Sequence, residues 1–280
     1  MNTDNNDKRI IVSGHRGEST YNPENTMAAI RAAVGYGVDM IETDIHMTKD
    51  RLLVLRHDEI IPGAGRVKDF TYDELLKVKP DLPLLEELLE LAQKTPDLIL
   101  NLEFKDVPCS DTANSGGAGS VQNIDPGMAA MDNEWAYECA DRVLDMVKEA
   151  SLEKRALLCS FSGKIIDYAY NREGKKFSYH AFYPFFIMGE MENDPAQICS
   201  VACMQHRYMD RSGNVIRYDD PLCPKEWFEN VSAMGLVPLA APSLTTYENF
   251  DAAFSYGARI VNANDPKGMI EHLKTTGLNR

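Results

Sequence analysis

Several short stretches gather groups that could do chemistry. In Ile41-Glu42-Thr43-Asp44-Ile45-His46 the two-residue period of a strand puts Glu42, Asp44 and His46 on one face. Asn101-Leu102-Glu103-Phe104-Lys105 repeats the pattern, adding a third carboxylate and a lysine. Gly14-His15-Arg16-Gly17 and His57-Asp58 each close an apolar run. Three carboxylates brought together repel unless protons or a hard cation neutralise them. Oxygen donors without thiolates suit Mg²⁺, Ca²⁺ or Mn²⁺ better than structural zinc. Glu42, Asp44 and Glu103 are therefore the candidate ligands of one divalent metal ion. Arg16 and Lys105 are candidates to grip a phosphate, and His15 and His57 to donate and accept protons on opposite sides of it. Phosphodiester cleavage needs this set. His46 reads as a hydrogen-bonding support or strand cap rather than a ligand. The helix dipole accounts for Glu24, and His180 and His206 read as structural.

Such groups meet only if their segments end on one rim. Short apolar runs alternate with amphipathic stretches, which argues for βαβ units and a parallel sheet. The sequence predicts strands at residues 9–13, 38–45, 52–56, 98–104, 156–160, 177–181, 200–204, 235–240 and 258–261. Nine candidates for eight places leave one surplus, and the short run at 200–204 is the one to set aside. Asn22 is expected to cap the first helix, with Pro23 at its first position. Leu84, Leu85, Leu88, Leu89 and Ala92 form one apolar helical stripe, and Trp135, Cys139, Val143 and Val147 another. The expected fold is a (β/α)8 TIM barrel, one domain over residues 1–280, with its site where the strands end. Residues 107–133 contain Ser115-Gly-Gly-Ala-Gly-Ser120 and are too long for an ordinary connection, so they are expected to be a lid or a mobile insert. The aromatic run from Phe182 to Phe186 is either a pocket wall or packing.

The balance of charge narrows the partners. Acidic residues number 43 against 29 basic, a net charge of -14, which repels nucleic acid and anionic lipid at long range. An anionic small-molecule substrate then needs a local positive focus inside a negative envelope. Residues 1–8 are polar with no apolar stretch after them long enough for a signal peptide, and no stretch approaches the roughly 20 apolar residues of a membrane span. The expected location is cytoplasmic. The six cysteines, Cys109, Cys139, Cys159, Cys199, Cys203 and Cys223, show no Cys-x-x-Cys pair and read as reduced structural thiols.

Six ordered motifs carry a resemblance. His15-Arg16-Gly17, Pro23-Glu24-Asn25-Thr26, Glu42-x-Asp44 with Thr48-Lys49-Asp50, His57-Asp58, Pro83-Leu-Leu-Glu86-Glu87 and Glu103-Phe-Lys105 together resemble the motif set of the glycerophosphodiester phosphodiesterase family. Ser160-Phe161 and Asn264-Asp265-Pro266 extend the likeness toward the carboxyl end. The resemblance implies an α/β barrel in which Glu42, Asp44 and Glu103 bind one divalent metal, His15 and His57 serve as acid and base, and Arg16 and Lys105 hold the phosphate. The implied reaction is hydrolysis of a glycerophosphodiester to an alcohol and glycerol phosphate, by water or through a cyclic phosphate. Related alternatives are action on a lysophospholipid or sphingolipid headgroup and an inactive phosphate-ester binder. A pure binder has no need of a proton donor. Two departures stand out: Arg51 occupies a position where the family usually has glycine, and Leu239-Ala-Ala-Pro-Ser243 replaces a common Trp-Thr-x-Asn.

Overall fold

Apolar runs buried on both sides become the staves of a closed barrel. The computed structural model describes residues 9–108, 128–209, 215–217 and 221–278. Its barrel strands are β1 (Ile11–His15), β2 (Met40–Met47), β3 (Ile99–Phe104), β4 (Ala156–Cys159), β5 (Ser178–Tyr183), β6 (Val201–Met204), β7 (Val237–Ala240) and β8 (Ile260–Ala263). Each pairs in parallel with the next, and β8 pairs with β1 to close the ring. Every residue of β2 is buried, because one face fills the barrel and the other lies under helices.

Around the barrel pack α1 (Met27–Tyr36), α2 (Leu85–Lys94), α3 (Asn133–Glu149), α4 (Gly163–Glu173), α5 (Lys225–Ala233), α6 (Tyr247–Tyr256) and α7 (Pro266–Thr276). The predicted stripes are the faces they bury: Leu85, Leu88, Leu89 and Ala92 in α2, and Cys139, Val143 and Val147 in α3. The cap of α1 is Thr26, which accepts from Ala29 N, and not Asn22. Asn25 has φ 53°, and a left-handed residue there stops the helix from starting earlier.

Two strand assignments change. The run at 200–204 is a barrel strand, β6, in register with β5 through His180 and with β7 through Val237. The surplus candidate is instead the run at 52–56. Leu53–Leu55 folds back antiparallel on β2, with Ile45 opposite Leu55. Only residues 48–52 separate the two strands, whereas a parallel crossover takes about a dozen residues or more. A tight turn closes the gap. Thr48 N donates to Leu52 O at 2.9 Å, and Leu52 N donates to Thr48 Oγ1 at 3.0 Å. Arg51 holds the left-handed conformation, φ 68°, at the position where the resembling family usually carries glycine. Its guanidinium lies 4.0 Å from the Trp135 ring centroid, and its Nε donates to Glu138 at 2.9 Å. The excursion between β2 and α2 has a small core of its own, built on Val54, Ile61, Val67, Leu75 and Leu82.

Part of the stretch at 107–133 is regular structure. Asp106–Pro108 pairs in parallel with Ala129–Met131, and α3 begins at Asn133. The run from Ser115 to Ser120, and with it the expected lid, lies outside the described residues.

Candidate active site

The site is assembled where β1, β2 and β3 end. After His15 the chain turns through Arg16, φ 60°, and Gly17, φ 88°. A Cβ on Gly17 would stand 2.6 Å from Ala29 C and 2.7 Å from Ile30 N, so only glycine lets the turn press against α1. The turn aims Arg16 back over the rim. Its main-chain N donates to Glu42 O at 2.9 Å, and its Nε lies 3.0 Å from Asp44 Oδ2. Its Nη1 donates to both oxygens of Glu24, at 3.0 and 2.9 Å. Glu24 thus lies ahead of α1, in the loop, and holds Arg16; the helix dipole is not its role.

Glu42 and Asp44 project from one face of β2, and Glu103 of β3 stands in register with Asp44. All three are buried, and each offers an oxygen within 4.8 Å of the others, a set that can hold a metal ion. Lys105 lies among them, its Nζ 2.6 Å from Glu103 Oε1 and 3.1 Å from Asp44 Oδ1. Asn25 Nδ2 donates to Asp44 Oδ2 at 2.7 Å, while Asn25 Oδ1 accepts from Thr43 Oγ1.

This asymmetry separates the carboxylates electrostatically. Burial opposes the charge on Asp44, but Lys105, Arg16, His57 and the Asn25 hydrogen bond outweigh it and hold its carboxyl well below the usual range. Burial and the neighbouring Asp44 push Glu42 well above that range, and Arg16 offsets this only in part. A hard divalent cation fits such a set, because it adds the positive charge that Glu42 lacks and takes all-oxygen ligands.

The two histidines reach the rim differently. His15 arrives on its strand, with Nδ1 2.6 Å from Asn264 Oδ1 and Nε2 3.8 Å from Glu42 Oε2. Burial, and then the charge of Arg16, pushes it down to about 3. The imidazole is therefore neutral at physiological pH, with its proton on Nδ1. His57 does not end a barrel strand as expected; the antiparallel excursion delivers it. Arg56 N donates to Asp44 O at 2.9 Å, and His57 Nδ1 lies 2.8 Å from Asp58 Oδ1. His46 is buried beneath, its Nε2 3.1 Å from the main-chain oxygen of His57.

His15, Arg16, Glu42, His57, Glu103 and Lys105 line a cavity of about 240 Å³. Cys159, Phe161, Phe182, Cys203 and Pro242 line it too, with the rings of Phe161 and Phe182 stacked at 3.7 Å. Of the aromatic run, Phe182 is pocket wall, whereas Tyr183 packs on Phe185 and Trp227. His180 lies on the cavity lining, buried, beside the Asn101 amide. His206 faces Ser243 Oγ at 3.1 Å. Cys139, Cys159, Cys199 and Cys203 are free thiols, and burial pushes Cys159 and Cys203 well above the usual thiol range. Sequence reasoning missed Asn25, Asp106 and the role of Glu24. Asn25 and Glu24 sit inside the Pro-Glu-Asn-Thr motif, which was the available signal, while Asp106 follows its motif by one residue.

No helix among the described residues is long and apolar enough to cross a membrane. Comparison with known proteins gives a consistent likeness. The Glycerophosphoryl diester phosphodiesterase family model matches residues 15–194. A glycerophosphodiester phosphodiesterase of Caldanaerobacter subterraneus subsp. tengcongensis is 31% identical over 169 residues, covering 55% of this chain and 59% of the relative. The chain spans about half the length of the curated relatives it matches. The crystal structure of a glycerophosphodiester phosphodiesterase from Parabacteroides distasonis superposes with a TM-score of 0.68 at 18% identity, covering 96% of this chain and 99% of that one. An Oleispira antarctica phosphodiesterase, solved in complex with the product sn-glycerol-3-phosphate, does so with a TM-score of 0.68 at 16% identity, covering 94% and 96%.

Proposed function

The chain belongs to the glycerophosphoryl diester phosphodiesterase family, and from that premise we propose that it hydrolyses a glycerophosphodiester to an alcohol and glycerol phosphate by metal-dependent acid–base catalysis. One observation carries the reading: the oxygens of Glu42, Asp44 and Glu103 gather within 4.8 Å at the edge of a cavity that both His15 and His57 line. The product bound to the Oleispira antarctica phosphodiesterase, sn-glycerol-3-phosphate, supports it by analogy of fold.

Glu42, Asp44 and Glu103 would hold one Mg²⁺, Ca²⁺ or Mn²⁺ ion, which when bound supplies neutralising charge at the phosphate. Arg16 and Lys105 bind the phosphate oxygens. His15 Nδ1 donates a hydrogen bond to Asn264 Oδ1, which leaves the Nε2 lone pair to accept a proton from the attacking water or substrate hydroxyl. Acting as the acid, with Nδ1 held toward Asp58, His57 passes its Nε2 proton to the departing alkoxide as the phosphorus–oxygen bond breaks. The lining formed by Phe161, Phe182 and Pro242 takes the alcohol.

The test is a screen of glycerophosphodiesters with different alcohols, each coupled to a phosphatase that releases phosphate from the monoester product, run with each metal and with chelator. Metal-dependent release from at least one substrate is the expected result. No release with any of the three metals, or full release in excess chelator after dialysis shown to leave no metal, removes the proposal.

A further inference from the structure

His57 is the one proposed proton carrier that no barrel strand positions, so something else must hold it. Its ring leans on Asp58, which is exposed. Its main chain has a firmer anchor. His46, two residues beyond Asp44 on β2, has both ring nitrogens facing oxygen: Nδ1 lies 2.6 Å from Asp106 Oδ1, and Nε2 lies 3.1 Å from the His57 carbonyl. A carboxylate and a carbonyl both accept, so both nitrogens are placed to donate.

Asp106 is itself fixed from two further directions. Its Oδ2 accepts from Met47 N at 3.0 Å and from Trp135 Nε1 at 3.0 Å. Trp135 sits in the first turn of α3, whose cap Asp132 accepts from Trp135 N at 2.9 Å. Arg51 covers its ring from the turn at the end of β2. His46 and Asp106 are each 1% exposed, so this network works without competition from water. It joins β2, the segment after β3 and the start of α3 to a single main-chain oxygen, the one belonging to His57.

We infer that His46 and Asp106, braced by Trp135, are positioning residues that set the place of His57 over the cavity. A buried pair that served only the barrel could satisfy Asp106 from Met47 and Trp135 and leave the second imidazole nitrogen to a core group. Here that nitrogen goes to the residue read as the general acid. The inference rests on that reading, and it adds a requirement the metal ligands do not share: disturbing the brace should slow the proton step while leaving metal and substrate binding in place. Displacement of a reacting group by about 1 Å from a change outside the chemistry can cost about 10²-fold in rate.

The experiment uses the full chain and the variants His46→Ala, His46→Gln, Asp106→Asn and Trp135→Phe. Three quantities are read: kcat and KM on a glycerophosphodiester that the wild type cleaves, the Mg²⁺-induced rise in melting temperature, and the histidine ring signals in ¹³C-resolved NMR, with His57 assigned from its own substitution. His46→Ala and Asp106→Asn should lower kcat by about 10- to 100-fold, with KM and the Mg²⁺-induced rise unchanged, and should displace the His57 signals. His46→Gln keeps an N–H for the His57 carbonyl and should recover part of the loss, while Trp135→Phe should lose least. A folded His46→Ala or Asp106→Asn with wild-type kcat and undisplaced His57 signals overturns the inference. If the wild type cleaves nothing, the failure belongs to the proposed activity, and the NMR arm still decides whether His46 sets the place of His57. If His46→Ala does not fold, Asp106→Asn and Trp135→Phe decide it by the same readings.

Discussion

The Lys105 ammonium lies 3.1 Å from Asp44 Oδ1, with each side chain 1% exposed. An ion pair so deeply buried makes the three carboxylates unequal. Asp44 answers two cations, Lys105 and Arg16, and the Asn25 amide. Glu42 is the group that burial and Asp44 disfavour as a charge.

In chelator at neutral pH, Asp44→Asn should therefore lower the unfolding free energy, by about 1–3 kcal/mol, because Lys105 and Arg16 each lose one partner and keep Glu103 and Glu24 respectively. Glu42→Gln should leave stability unchanged or raised. The sign follows from linkage. A carboxyl whose folded-state pKa is raised costs stability once pH exceeds its ordinary value of 4.5, so the gain on neutralising it is present at pH 7 and vanishes below that value. Both variants should lose the melting-temperature rise that Mg²⁺ gives the wild type. Thermal unfolding with chelator and then across a Mg²⁺ titration measures both effects; Asp44→Asn melting above Glu42→Gln in chelator contradicts the assignment.

His15→Ala and His57→Ala should each cost about 10²- to 10⁴-fold in turnover. Their roles separate with the leaving group. An ester whose departing alcohol is strongly acidic, such as a nitrophenol, needs no proton on departure, so it should restore much of the rate to His57→Ala and none to His15→Ala. Kinetics of both variants on the activated and the ordinary ester decide it, and the opposite pattern exchanges acid and base.

Where side chains alternate about a strand, the sequence was readable. Period two put Glu42 beside Asp44, and parallel pairing of β2 with β3 brings Glu103 into register with Asp44. What alternation cannot convey is the direction of the next strand. Leu53–Leu55 has the composition of a barrel stave, and only the five-residue gap before it forces the antiparallel return. β6 was obscure for the converse reason. Its four residues are buried on both faces and so show no alternation, and the helix before it is a single turn, Pro195–Ile198. Glu24 looked like a first-turn acid because the left-handed Asn25 that delays the helix leaves no mark on composition. Asp106 was invisible because its partners, His46 and Trp135, lie 60 and 29 residues away in sequence.

Two glycines of one neighbourhood should respond oppositely to alanine. Gly17→Ala forces a Cβ to within 2.6 Å of the main chain of α1 while holding φ at 88°, and should cost about 1–3 kcal/mol from overlap alone. It also moves the turn that carries Arg16, so phosphate binding should weaken. Gly35 lies inside α1, where an added Cβ meets nothing within 4 Å, and Gly35→Ala should stabilise the fold by about 0.5–1 kcal/mol. Urea unfolding midpoints compare the two, and equal shifts would show that the close approach at Gly17 is not what holds the turn.

His180 should leave a signature in acid. It is 3% exposed, and burial pushes it down to about 3 from an ordinary 6.5. Among the described residues its Nε2 has no hydrogen-bond partner, so nothing in the fold rewards a second proton. The unfolded chain binds a proton at His180 as pH falls below 6.5, while the folded chain does not until pH nears 3. Over that window the unfolded state holds more protons, so stability falls as pH falls. His180→Gln keeps an amide for the Asn101 side chain but cannot titrate. Its unfolding free energy should decline less steeply between pH 6 and pH 4, by up to about 1.4 kcal/mol for each pH unit. His15, also pushed down to about 3, contributes in the same direction, so His15→Gln combined with His180→Gln should flatten the acid limb further. Urea unfolding at a series of pH values in this window gives the slopes. If His180→Gln and the wild type share one slope, the ring takes up its proton as readily in the fold as in the unfolded chain, and its burial carries no electrostatic cost.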